Sequence, residues 1–227
     1  MAHHALIDKR PFLLASMAAA IAFYALRLST LPEIWLIPVK GAAAGLLALY
    51  ALLRGSGRDG KFLAAMMAVA ALADMAMEID RGAAALLFFT YHVIAIALYL
   101  GHTREQPTGS QRAAAVAMLL LTPLVAYLLP ADRAEAWPTA IYGLALGGMA
   151  ACAWMSSFPR YRVGVGAVLF LASDLLIFAD SGPLMGEALP QLLIWPLYYL
   201  GQLLIAVGIV QTLRHRHPAT YSKQREI

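Results

Sequence analysis

An aspartate sits inside an apolar run at Ala71-Leu72-Ala73-Asp74-Met75-Ala76-Met77-Glu78-Ile79-Asp80, and the run is long enough to be headed for hydrocarbon. One hundred residues later the pattern recurs as Leu171-Ala172-Ser173-Asp174-Leu175-Leu176-Ile177-Phe178-Ala179-Asp180, again with a second acid six positions on. A carboxylate at the centre of a membrane helix costs roughly 2.5–3.5 kcal/mol on insertion scales. A chain that keeps two of them therefore needs them for partners or for chemistry.

The surrounding composition is that of a membrane protein. Hydrophobic residues make up 61% and charged residues 13%, against about 25% charged in soluble domains. At about 20 residues per span, 227 residues hold about eight helices and no soluble domain. The expected fold is an all-α integral membrane bundle in a single domain, residues 1–227, with spans near 11–28, 34–53, 62–79, 83–101, 113–129, 137–156, 163–180 and 189–213. Turn and breaker residues separate them, among them Gly55-Ser56-Gly57, Asp80-Arg81-Gly82, Pro107-Thr108-Gly109 and Ser181-Gly182-Pro183. The amino-terminal Lys9-Arg10 and apolar run form the first span, because no small-residue cleavage site precedes polar sequence.

Lysine and arginine alternate across these spans. Lys9, Arg10, Arg54, Arg58, Lys61, Arg104, Arg112, Arg160, Arg162, Arg214, Arg216, Lys223 and Arg225 fall on one side, and Arg27, Arg81 and Arg133 on the other. The richer side is cytoplasmic by the positive-inside rule. Both termini are expected there, in a bacterial inner membrane. The net charge of +4 is spread between spans, which fits anionic membrane lipids as partners and not nucleic acid. One cysteine, Cys152, excludes an intrachain disulfide and a cysteine-based zinc site. No three-histidine zinc set assembles, so no metal and no cofactor is expected.

Four spans restore the original direction, so the third and seventh helices run parallel. The echo of the two acids is what two parallel four-helix repeats would produce, and also what two alanine- and leucine-rich helices give by chance. Each acid lies six residues before the outer end of its span, about 9 Å deep at 1.5 Å per residue. Lys40, entering from the outer side on the second span, reaches a similar level. Snorkelling accounts for a lone lysine; two acids at its depth favour a buried ion pair. His92 and Tyr91 on the fourth span, Tyr142 on the sixth, and Tyr198, Tyr199 and Gln202 on the eighth are able to hydrogen-bond inside the bundle, where polar contacts between helices are common. Glu78 lies one turn from Asp74, where it is able to line an entrance. Ser173 has no histidine neighbour in sequence, and neither a nucleotide loop nor a nucleophile elbow is present.

These residues resemble the YhhN-like lysoplasmalogenases. Gly166-Ala167-Val168-Leu169-Phe170-Leu171-Ala172-Ser173-Asp174 is similar to that family's Gly-Ala-x-x-Phe-x-x-Ser-Asp, and Tyr198-Tyr199-Leu200-Gly201-Gln202-Leu203-Leu204-Ile205 to its Tyr-Tyr-x-Ala-Gln-x-Leu-Ile. Asp74, Lys40 and His92 fall at further family positions. Ala73, Gly41 and Ala95 stand where the family pattern has glycine, proline and tyrosine. The resemblance implies a hydrolase that cleaves the vinyl ether of a lysophospholipid to a fatty aldehyde and a glycerophospho-amine. Asp74 and Asp174 would act as acid and carboxylate, supported by Lys40, Glu78, His92, Tyr142, Ser173, Tyr198, Tyr199 and Gln202. A different reading of the same acids is a carrier or sensor that binds lipids or small cations. Which acid donates, the head group and the oligomeric state stay open at this stage.

Overall fold

A computed structural model describes residues 11–216; His3, His4, Lys9, Arg10 and the tail from His217, which bear on the expected orientation, lie outside them. Eight α-helices follow one another: α1 (Pro11–Leu26), α2 (Glu33–Arg54), α3 (Gly57–Met77), α4 (Arg81–Leu100), α5 (Gly109–Leu128), α6 (Ala136–Met155), α7 (Val165–Asp180) and α8 (Ala188–Arg216). A short 3-10 turn, Arg133–Glu135, leads into α6, and a π-helical turn, Arg160–Gly164, leads into α7. No β-strand occurs among the described residues. In hydrocarbon every backbone N–H and C=O needs an internal partner, and a helix provides one for each. Seven of the helices are long and apolar enough to cross a membrane, which makes this a multi-pass membrane protein. The 16 residues of α1 cover only about 24 Å, short of a hydrocarbon core of about 30 Å.

Polar end turns account for the differences from the expected spans. Helix α3 begins at Gly57, because the turn Arg58-Asp59-Gly60-Lys61 is helical although it is too polar for a hydropathy window. It ends at Met77, where the Glu78 N–H bonds Met75 O at 3.3 Å and the Ile79 N–H bonds Ala76 O at 2.9 Å. These shorter-range bonds tighten the chain out of the α-helix. Asp74 is thus three residues from the last residue of α3, whereas Asp174 is six from that of α7. A capping box starts α5: the Gln111 N–H donates to Thr108 Oγ1 at 3.3 Å, and the Thr108 N–H donates to Gln111 Oε1 at 2.8 Å.

Contacts divide the chain into two compact units, one running to Tyr91 and resuming at Ala206, the other spanning His92–Ile205. The boundaries fall inside α4 and α8, not in the loop after α4 where four-span repeats would separate. In the first unit α1 is tied to α2 by Ser16 Oγ, which donates to Ala43 O at 2.6 Å. Gly41 lets α2 approach α3, since a Cβ there would lie 2.5 Å from Met75 Cγ.

In the second unit α6 presents Gly143 and Gly147, four residues apart, to α5. A Cβ on Gly143 would lie 2.7 Å from Ala126 Cβ, and one on Gly147 would lie 2.5 Å from Met118 O. This is close backbone packing of the small-xxx-small kind, which drives helix association where lipid offers no hydrophobic incentive. The loops close around it: the Arg104 N–H bonds Met155 O at 3.0 Å, the Ser157 N–H bonds His102 O at 2.6 Å, and the Ala131 N–H bonds Ser181 O at 3.1 Å.

Neighbouring glycines on α6 should respond in opposite directions to the same added methyl. Gly147→Ala drives a Cβ into a backbone carbonyl and should cost about 1–3 kcal/mol of stability. Gly148→Ala meets only the tips of Ile96 and Leu119, at 3.5 and 3.9 Å, and should be neutral or stabilising by up to about 1 kcal/mol through helix propensity. Thermal unfolding of the two variants in detergent checks this; equal melting temperatures would contradict the packing described.

Candidate active site

Within the second unit Asp174 is the polar centre of an otherwise apolar helix. Phe170 and Phe178 stand one turn before and one turn after it, on the same face. The carboxyl is 4% exposed, so its oxygens must find protein partners. Tyr142, from α6, supplies one: its hydroxyl donates to Asp174 Oδ2 at 2.7 Å. His92, wholly buried on α4, places Nε2 at 3.1 Å from the same hydroxyl and 3.7 Å from Asp174 Oδ2. Three helices thereby deliver a histidine, a phenol and a carboxyl into one hydrogen-bonded row.

Aromatic rings enclose the row. His92 meets Tyr142 edge-on at 5.3 Å and lies against Phe170 at 5.2 Å, while Tyr142 meets Phe178 edge-on at 5.6 Å. Phe170 continues edge-on into Tyr198 at 5.1 Å, and Trp195 packs on Tyr198 and stacks with Tyr199. Gln202 is fully buried on the same helix. Ser173 is spoken for: its hydroxyl donates to Ile194 O at 2.9 Å and ties α7 to α8. Higher on these two helices Gly166 and Gly201 face each other, and a Cβ on either would come within 2.7 Å of the other's carbonyl oxygen. Gly201, where the family pattern has alanine, thus belongs to a crossing too close for a side chain.

In the first unit Asp74 is 2% exposed. Lys40, expected to pair with an acid, has Glu78 as its ion-pair partner: Nζ lies 2.5 Å from Oε1. The physical reason is reach. Glu78 lies just past the end of α3, and the lysine stem extends to that boundary. Ala73 and Ala95, the other departures from the family pattern, are completely buried. Among the described residues no group of three or more histidine, cysteine, aspartate or glutamate side chains is arranged to hold a metal ion.

Phe170, Phe178 and Trp195 were not singled out as site residues by the sequence. For Phe170 and Phe178 the signal was the spacing of four on either side of Asp174, which puts aromatic rings on the face of the acid; Trp195, on α8, carried no such signal. His92 and Tyr142 had appeared as separate polar contacts, fifty residues apart; only the helix packing makes them consecutive members of one row.

The row fixes its own protons. The single hydrogen of Tyr142 is directed to Asp174, so at the His92 contact the phenol oxygen accepts and Nε2 carries the donor. Selective ¹⁵N-histidine labelling should show a protonated Nε2 on His92. An unprotonated Nε2 would mean that Tyr142 donates to histidine and that the row runs the other way.

Neither a curated protein nor a solved structure matches the chain. A family model does, and it covers residues 35–209, from near the start of α2 to within one or two turns of the end of α8 and across both units, with Asp74, His92, Tyr142, Ser173, Asp174 and Gln202 inside the match. By that match the chain belongs to the YhhN family.

Proposed function

We propose that this protein is a membrane hydrolase that cleaves the vinyl ether bond of lysoplasmalogens, releasing a fatty aldehyde and a glycerophospho-ethanolamine or glycerophospho-choline. The observation that carries the reading is the His92–Tyr142–Asp174 row, whose histidine and carboxyl are both buried. Vinyl ether hydrolysis begins when an acid adds a proton to the alkene carbon remote from oxygen. The carbon bonded to oxygen becomes an oxocarbenium ion. Water adds there and loses a proton to a base, and the hemiacetal gives up its hydroxyl proton as the alcohol oxygen takes one, which leaves aldehyde and alcohol. The reaction consumes one water and no net proton.

Asp174 suits the first step. In its protonated form it is an acid in apolar surroundings, and after donation it is a carboxylate opposite the cation it has made, the division of work seen in glycosidases. Tyr142 holds the carboxyl in position and links it to His92, from which a proton can return along the row. The aromatic enclosure keeps bulk water from capturing the cation unselectively. Asp74 is the second carboxylate of the proposal, as the recurring sequence pattern suggested.

Purified protein supplied with lysoplasmenyl-ethanolamine should release a long-chain aldehyde. Asp174→Asn and Asp74→Asn should each lower turnover by about 10²-fold or more while leaving a monodisperse protein, because asparagine keeps the shape but can neither donate the proton nor carry the charge. Tyr142→Phe should lower kcat by about 10-fold or more with little effect on KM. Intact lipid binding without aldehyde release would instead favour a carrier or sensor that uses the same acids.

The proposed setting is a bacterial inner membrane, with eight spans and both termini on the cytoplasmic side, as the distribution of lysine and arginine implies. Reporter fusions at the two ends should label the same face. Opposite faces would refute the eight-span topology.

A further inference from the structure

The loop after α4 and the turn before α7 close on one another at one end of the second unit, and arginine gathers there. Arg104 holds them together: its backbone N–H bonds Met155 O at 3.0 Å, and its Nη2 donates to Ser156 O at 3.1 Å and lies 3.5 Å from Phe158 O. Two residues beyond Phe158 begins the π-helical turn that carries Arg160, Tyr161 and Arg162. The Arg160 guanidinium stands 5.5 Å from the Trp154 ring centre and 5.0 Å from that of Tyr161, and its Nη2 donates to the Tyr161 hydroxyl at 3.3 Å. Tyr161 is 78% exposed, and Arg162 is exposed beside it.

Charge at this end is one-sided. No acidic residue occurs between Glu135 and Asp174, and Glu105 is the only one between Asp80 and Asp132. Among the described residues neither Arg104 nor Arg160 forms an ion pair with a carboxylate. The start of a helix disfavours cations, because its free N–H groups already carry partial positive charge, yet this turn has no acid in it and no side-chain cap. An anion from outside the chain would relieve both the clustered arginines and the uncapped helix start. Arg160 is prepared for one: the rings hold the face of its guanidinium, and the edge keeps further N–H donors in the fork geometry that suits a phosphate. A π-turn, rare in itself and frequent at functional sites, sets these residues in place.

At the end of membrane helices the anion at hand is a lipid phosphate, and an exposed tyrosine ring belongs at the same head-group level. In a zwitterionic head group an ammonium follows the phosphate and would meet the same arginines. A head group with a phosphate and no amine avoids that repulsion. We propose that the Arg160–Tyr161–Arg162 turn, with Arg104 behind it, is a docking site for anionic glycerophospholipids. It uses none of the residues of the reaction proposed above; Arg162 stands twelve residues before Asp174 on the same helical run, about 18 Å along its axis.

Lipid binding to the full chain in maltoside micelles tests this, with Kd read by native mass spectrometry for dioleoyl phosphatidylglycerol, dioleoyl phosphatidylethanolamine and soluble glycerophosphoglycerol. Wild type should bind the phosphatidylglycerol about 10-fold or more tightly than the phosphatidylethanolamine, as two arginines at a head group imply. Arg160→Gln with Arg162→Gln should bring that ratio close to one. Arg58→Gln with Lys61→Gln removes as much charge from exposed positions near the start of α3 and should leave the ratio unchanged. In wild type, a phosphatidylglycerol with a diazirine on its head group should label the peptide around Tyr161 on irradiation. A wild-type ratio near one, a ratio unchanged in the arginine variant, an equal fall in both double variants, or labelling spread evenly over the loops would overturn the inference. So would glycerophosphoglycerol binding as tightly as the lipid, since the ligand would then be a soluble phosphodiester.

Discussion

A carboxyl that has left water must be given hydrogen bonds, and the second unit is arranged around this requirement at Asp174. Without a partner its oxygens would carry a desolvation cost of several kcal/mol. The Tyr142 hydroxyl at 2.7 Å meets the need directly, and His92 meets it at one remove. Because the three residues come from α7, α6 and α4, their meeting fixes how those helices cross. The row is a weak adhesive, since hydrogen bonds between membrane helices average roughly 0.6 kcal/mol. A chain seeking only stability would do as well with an apolar residue at position 174, and this is why the row reads as chemistry.

The cohesion comes from the backbones. Gly143 and Gly147 admit α5, Gly166 and Gly201 admit each other, and Gly41 admits Met75. In lipid, where burial of apolar surface is no gain in itself, such close approach supplies dispersion contacts that larger residues would prevent. Rigid crossings of this kind are also what a three-membered polar row needs, because a shift of one ångström at any helix would open one of its two hydrogen bonds.

Much of this was legible in the sequence, for identifiable reasons. Spans of about twenty apolar residues announce themselves, and the eight observed helices lie close to the expected runs. Asp74 and Asp174 stood out because charge is rare inside such runs, and both are buried. Three things were not legible. The polar first turn of α3 is invisible to hydropathy, and its tightened last turn depends on local hydrogen bonds; together they moved both ends of that helix away from the expected span. The partner of Lys40 depended on how far a flexible stem reaches, and it reached Glu78. The convergence of His92, Tyr142 and Asp174 depends on helix rotation and crossing, which helices this uniformly apolar do not encode as a polar stripe. The glycines that permit the convergence were visible as letters, yet without neighbours they carried no address.

The central claim is that an enclosed carboxylic acid adds a proton to carbon, and the fate of that proton can be followed directly. Lysoplasmenyl-ethanolamine hydrolysed in heavy water by the wild-type protein, with the aldehyde trapped at once by reduction, should yield an alcohol bearing one deuterium at carbon 2, in a single configuration. A fixed acid on one face of the alkene gives that outcome. No deuterium at carbon 2, or deuterium in equal amounts of both configurations, would contradict proton delivery by a positioned acid.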